Sequence, residues 1–182
     1  EPIIVPRQDT SQQSDRTDST RIIKGYHDVK IFSKKFQGVG DSIYYSSTDS
    51  IFKLYNNPVL WSDTINQYKA DTIYLVMRNK QLYRLDLLNK ASILTTPESI
   101  YFNQITGNDI SAHMLESKLN LITVDGTART VFYNRNENKE YTGVNTLDCS
   151  NLKAWFVNNE LDKIRFYRKN DGKAEAHEEI PA

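Results

Sequence analysis

Lys69-Ala70-Asp71-Thr72-Ile73-Tyr74-Leu75-Val76-Met77-Arg78-Asn79-Lys80-Gln81-Leu82-Tyr83-Arg84-Leu85 is the stretch on which the fold of this chain turns. Thr72 to Met77 is rich in β-branched, aromatic and aliphatic residues, which suit a pleated surface. Arg78-Asn79-Lys80 is a polar turn, and Gln81 to Leu85 returns as a second extended run. A period of two puts Ile73, Leu75 and Met77 on one face and Thr72, Tyr74 and Val76 on the other. Both faces are largely apolar, so this strand is expected to be covered on both sides, by a second sheet or by a ligand. The Ala-Asp pair at the start permits a bend, because a carboxylate can bond nearby backbone N–H groups.

The same unit recurs outward from this stretch. Gly38-Val39-Gly40-Asp41-Ser42-Ile43 opens one copy, answered by Ser50-Ile51-Phe52-Lys53-Leu54. Gly107-Asn108-Asp109-Ile110 opens another, answered by Lys118-Leu119-Asn120-Leu121-Ile122. Gly143-Val144-Asn145-Thr146-Leu147 opens a degenerate fourth, answered by Glu160-Leu161-Asp162-Lys163-Ile164. A single hairpin cannot bury its apolar face alone, whereas stacked hairpins share one. Further short runs fit the pattern: Val29 to Phe32, Val59 to Trp61, Ala91 to Leu94, Ser99 to Phe102, Ala128 to Tyr133 and Leu152 to Val157. The chain therefore reads as all-β, built from repeated antiparallel hairpins. Asp109 to Glu116 carries the best helix signal, but it is brief, and a strand fits it equally.

Residues 1–21 differ from the rest. Gln12 to Thr20 holds no apolar side chain and reads as a flexible arm, while Pro2-Ile3-Ile4-Val5-Pro6 is extended. The β domain is expected over 22–168, with a polar tail over 169–182. No apolar run approaches the roughly 20 residues needed to span a bilayer as a helix. No signal peptide is visible, and a start at Glu1 fits a mature form or a piece of something longer.

The chain has 23 basic and 23 acidic side chains, so its formal charge is zero and a nucleic-acid footprint is not expected. Cys149 stands alone, which rules out an internal disulfide and reads as a small buried apolar residue. His27, His113 and His177 are scattered, and no phosphate loop, paired-cysteine or His-Glu-x-x-His motif is present. No cofactor, metal or catalytic group is therefore expected. Asp41, Asp71 and Asp109 read as turn-forming side chains; paired glycosidase carboxylates would need them to face each other across a cleft. Trp61 and Trp155 are core fillers or platforms for lipid or sugar. Lys53, Arg84, Arg129, Lys163 and Arg165 suit solvated sheet surface or lipid phosphates at a groove mouth.

Several segments resemble the OstA-like family. They are Gly25-Tyr26-His27-Asp28-Val29, Gln37-Gly38-Val39-Gly40-Asp41-Ser42-Ile43-Tyr44-Tyr45 and Leu54-Tyr55-Asn56-Asn57-Pro58-Val59-Leu60-Trp61. Asn66-Gln67-Tyr68-Lys69-Ala70-Asp71-Thr72-Ile73 and Asn103-Gln104-Ile105-Thr106-Gly107 resemble it too. The likeness runs from about Ile22 to about Tyr167. Two places depart from the family pattern: Lys69 stands where a Gly is usual, and Asp125-Gly126-Thr127-Ala128 replaces the usual Gly-Asn-Ala turn. The resemblance implies a twisted, partly open β-jelly roll, a folded-over sheet whose groove holds acyl chains. It also implies a non-enzymatic module in the periplasm or envelope of a Gram-negative bacterium, binding or bridging lipopolysaccharide or another acylated lipid on its way to the outer membrane. Exposed edge strands would join it to other β-rich envelope modules or into an end-to-end oligomer.

Under that reading Ile43, Tyr45, Leu54, Val59, Trp61, Ile73, Leu75 and Met77 line or support the groove. Two other functions compete with it. One is a structural β-scaffold without lipid. The other is a carbohydrate-binding or hydrolysing all-β domain, which would show exposed Tyr and Trp beside convergent carboxylates.

Overall fold

The computed structural model describes residues 19–33, 36–62, 66–95, 101–116, 118–138, 140–158, 160–168 and 171–176. Twelve strands form a single sheet, and no helix occurs among the described residues. In chain order they are β1 (Ile22–Phe32), β2 (Phe36–Ser46), β3 (Ile51–Tyr55), β4 (Val59–Ser62), β5 (Asn66–Lys69) and β6 (Thr72–Arg78), then β7 (Gln81–Thr95), β8 (Asn103–Leu115), β9 (Lys118–Arg135), β10 (Tyr141–Val157), β11 (Glu160–Tyr167) and β12 (Asp171–Ala176). Every pairing is antiparallel.

The long strands are bent, and the bends line up. The ladders slip between Tyr26 and Val29 of β1, Leu88 and Ala91 of β7, Thr106 and Asp109 of β8, and Cys149 and Asn151 of β10. The breaks between β3 and β4, between β5 and β6, and between β11 and β12 fall at the same level. The result is a crease that folds one sheet into two halves. The first half runs β1, β2, β3, β6, β7, β8, β9, β10, β11, using the first parts of β1, β7 and β9 and the last parts of β2, β8 and β10. The second half runs β1, β2, β4, β5, β7, β8, β9, β10, β12, using the remaining parts.

Local chemistry makes the crease. His27 and Asp28, Asn56 and Asn57, Asn89 and Lys90, and Gly126 and Thr127 all have left-handed backbone, with Gly126 at φ 71°. That conformation costs a non-glycine residue roughly 1–2 kcal/mol. Hydrogen bonds that follow the crease from strand to strand offset the cost. The Asn89 N–H donates to the Asp109 carboxylate at 2.9 Å, Asn56 Nδ2 to Asp41 at 3.0 Å, and Thr127 Oγ1 to Asn108 Oδ1 at 2.9 Å. Asn151 Nδ2 donates to Asp125. Backbone bonds from Asn57 N to Asp71 O (3.2 Å) and from Asp71 N to Asn89 O (3.0 Å) complete the seam. Gly107 lets the halves approach, since a Cβ there would run into the Val124 side chain.

The crease explains most of the sequence repeat and corrects one part of it. Asp41, Asp71 and Asp109 sit in the crease, and the turns that precede the answering strands lie at the opposite end of the first half. In the fourth unit, Gly143 to Leu147 lies within β10 before the crease, and the bend comes at Ser150. Asn151, paired with Asp125, takes the register place that Asp109 takes in β8. Asp171–Ala176, expected in a tail outside the domain, instead pairs with β10 as β12. The arm expected over 1–21 lies outside the described residues up to 18.

The core lies where the two inner faces meet. Ile43, Leu54, Ile73, Leu87, Ile110, Val124, Leu152 and Phe166 form one continuous cross-strand row next to the crease. Ile73 and Leu87 are 0% exposed, and burial of such a side chain is worth about 1.5–3 kcal/mol. Opposite them the second half contributes Leu60, Tyr68, Ile93 and Ile105 to the same cluster. The outer face of β6 is not covered by another layer as expected. Tyr74 there meets Tyr55 edge-on, with ring centroids 6.4 Å apart. Neighbouring rings half-bury one another, which accounts for large residues on an outward face.

Candidate functional site

The two halves of the folded sheet end in two rims, and the space between the rims is its mouth. The rim of the first half is made by hairpin turns. At the β6–β7 turn, Asn79 and Lys80 both have positive φ, the geometry of a two-residue turn that follows strand twist. On the inner face beneath these turns, Leu82, Met114, Leu119 and Phe156 are half-buried and pack against the core. Met77, half-buried and opposite Leu82, extends the row. The inner face therefore stays sealed from Ile73 and Leu87 at the crease through Leu85, Ala112 and Ala154 in the next row, and opens only at these half-wet thioether, alkyl and aromatic groups. Methionine is flexible and polarizable and adapts to irregular apolar shapes.

Most of the candidate groove residues share this inner surface. Leu54, Ile73 and Leu75 are buried in it, and Ile43 is half-buried beside Leu54. Tyr45 stacks on Phe52 with centroids 4.2 Å apart, one row nearer the mouth. Met77 reaches the rim. Val59 and Trp61 stand apart. They flank the buried Leu60 on β4, so alternation turns them to the outer face, where Trp61 is 36% exposed beside Gln67. A shallow hollow of about 440 Å³ opens on that side, with Gln67, Lys69, Lys90, Leu94 and Gln104 in its wall. Leu82, Met114, Leu119 and Phe156 were not among the candidates. Leu82 and Leu119 lie in answering strands of the repeat, and Met114 and Phe156 lie in other extended runs, but only register places all four beside Met77.

The basic candidates all turn outward. Lys53 holds Asp49 at 2.9 Å, Arg84 holds Asp86 at 2.9 Å, and Arg129 lies 3.7 Å from Asp148. Lys163 sits over the Trp155 ring, 5.8 Å from its centroid, and Arg165 pairs in register with Lys153. The carboxylates Asp41, Asp71 and Asp109 are spread along the crease and engaged there, Asp71 with Lys90 at 3.3 Å. His27 Nδ1 lies 3.4 Å from Asp41, His113 is on the outer face beside Leu121, and His177 is outside the described residues. No group of three metal-ligating side chains occurs among the described residues. Cys149 is buried, and burial pushes its thiol up, so the protonated form is favoured and the sulfur is a poor nucleophile.

The architecture defines a class: the fold is the LptA-like β-jelly roll, an all-antiparallel sheet folded over on itself. A solved structure with this architecture is LptH, described as the LptA-homologous periplasmic component of the conserved lipopolysaccharide transport device from Pseudomonas aeruginosa. It superposes with a TM-score of 0.53 over 88% of this chain and 97% of that one, at 11% sequence identity. No family model and no curated protein sequence matches the chain. At this identity the likeness lies in the backbone, and the OstA-like strings do not extend into a family-wide match.

Proposed function

We propose that this protein is a non-enzymatic carrier or bridge for lipopolysaccharide, or another multiply acylated lipid, in the periplasm of a Gram-negative cell. The observation that carries this reading is the step in exposure along the inner face. A continuous apolar row is sealed at the crease and half-open at Met77, Leu82, Met114, Leu119 and Phe156. Acyl chains would cover that row, at about 0.8 kcal/mol per buried methylene, less the cost of ordering chains and side chains. The fold shared with a lipopolysaccharide-transport component supports the same reading.

The edges support joining to other modules. Among the described residues β1 pairs only with β2, and β11 and β12 pair only with β10. Exposed on β1 are Ile22 (54%), Ile23 (50%), Tyr26 (66%) and Phe32 (76%), an apolar edge open to β-augmentation. β1 and the β11–β12 pair cross the sheet in the same direction. A head-to-tail junction between copies would therefore be a parallel ladder, and a β1-to-β1 junction an antiparallel one.

Native mass spectrometry with and without added lipid A tests the carrier. The expected result is a lipid adduct at fixed stoichiometry that disappears in Met114→Asp. A clean apo mass in both samples, with the β-sheet signal intact, would overturn the carrier reading in favour of a scaffold.

A further inference from the structure

The two rims of the mouth differ in chemistry. The inner face at the first-half rim carries hydrocarbon and thioether groups from Met77, Leu82, Met114, Leu119 and Phe156. In the second half, Leu60, Tyr68, Ile93 and Ile105 are buried on the inner face and aligned across β4, β5, β7 and β8. Two residues further toward the rim on those strands, the same face carries Ser62, Asn66, Thr95 and Asn103. All four are neutral, and all can form hydrogen bonds.

Two of these side chains are held in a definite orientation. The Asn66 carbonyl oxygen accepts from Thr95 Oγ1 at 2.9 Å. The Asn103 carbonyl oxygen accepts from the Tyr133 main-chain N–H at 2.9 Å, and that N–H can only donate. Each amide is anchored by its oxygen, which leaves its NH2 donors unused among the described residues. Neither donor is a buried unsatisfied atom, so both reach solvent. β7 lies between their strands, which sets them about 10 Å apart at the usual strand spacing. That is too far for one carbonyl to receive both.

We propose that the mouth is polarised across its width: acyl chains lie against the Met77–Met114–Leu119 rim, while carbonyl groups linking several chains to one head accept from Asn66 and Asn103. This rests on the carrier reading and adds to it the side chains that would meet the acyl linkages of that multiply acylated head. It also sets which way the ligand lies.

The test compares two probes on the full chain: N-phenyl-1-naphthylamine, an apolar fluorophore without carbonyls, and dephosphorylated lipid A, which is multiply acylated and uncharged. The variant is Asn66→Asp with Asn103→Asp. It keeps the oxygens that hold Thr95 and the Tyr133 N–H but replaces both donors with acceptors. We expect fluorophore binding to stay at the wild-type level, which also reports an intact fold, and lipid A to bind about tenfold more weakly. Met114→Asp should weaken both probes. Unchanged lipid A affinity in the double variant would overturn the polarised mouth and leave the carrier standing. An equal loss of both probes in the double variant would overturn it as well. If the wild type bound neither probe, the carrier itself would fail, and this inference with it.

Discussion

Within a few residues of β7 the chain passes between two environments. At the mouth Leu82 is half-buried in the rim, while Leu85 and Leu87 are 0% exposed, and at Asn89 and Lys90 the backbone turns left-handed in the crease. The crease is dense, strained and tied by side-chain hydrogen bonds; the first-half rim of the mouth is half-open and apolar. Stability belongs to the crease, where removed atoms leave cavities that a close-packed interior cannot refill. The capacity to take up a guest belongs to the mouth, where side chains are covered only in part.

Substitutions can break or sharpen this contrast. Leu87→Ala should have the largest effect, a loss of about 2–5 kcal/mol in a denaturant melt; a loss below about 1 kcal/mol would mean the crease is not close-packed. Gly107→Ala should follow at about 1–3 kcal/mol, because its Cβ meets Val124 where the halves approach. Asp109→Ala removes the bond to the Asn89 N–H and should cost about 1 kcal/mol by the same measurement.

At the mouth, Met114→Asp should shift stability by no more than about 1 kcal/mol while removing the lipid adduct in native mass spectrometry. A loss as large as that of Leu87→Ala would erase the distinction between the regions. Smallest of all is Asp49→Asn, in the exposed turn before β3. The hydrogen bond from Lys53 holds the Asp49 carboxyl below its ordinary value. With the folded value below the unfolded one, its contribution is complete above the unfolded value and is lost as acid protonates it. Solvent screening keeps it slight, so wild type and variant should differ little at neutral pH and converge in acid, as read by melts across pH.

Several features were legible residue by residue. The β-prone run from Thr72 to Met77 is β6, and the Asp-marked bends at Asp41, Asp71 and Asp109 all lie in the crease. Where the reading erred, it erred on continuity. Gln81 to Leu85 and Ala91 to Leu94 belong to one bent strand, β7, and Lys118 to Ile122 and Ala128 to Tyr133 to one strand, β9. Asn89-Lys90 and Asp125-Gly126-Thr127 carry the residues of a chain-reversing turn, and only pairing with neighbours shows that the strand bends instead of reversing. Of the expected run Ser99 to Phe102, residues 99–100 lie outside the described residues, and 101–102 precede β8 without joining it. Val59 and Trp61 were grouped with the groove under the OstA-like reading, and the alternation around Leu60 turns them outward.

The sequence by itself determined the strand chemistry, the turn residues and the polar crease, because φ and ψ preferences and local side-chain bonding act over a few residues. It also carried no sustained helical stripe, in keeping with the absence of helix among the described residues. Tertiary structure alone decided which apolar face is sealed and which is half-open, that Met114, Leu119 and Phe156 join Met77 at one rim, and that Asn66 and Asn103 share the other. Those groupings depend on register between strands far apart in the chain, and a shift of one residue would send each of these side chains to the opposite face.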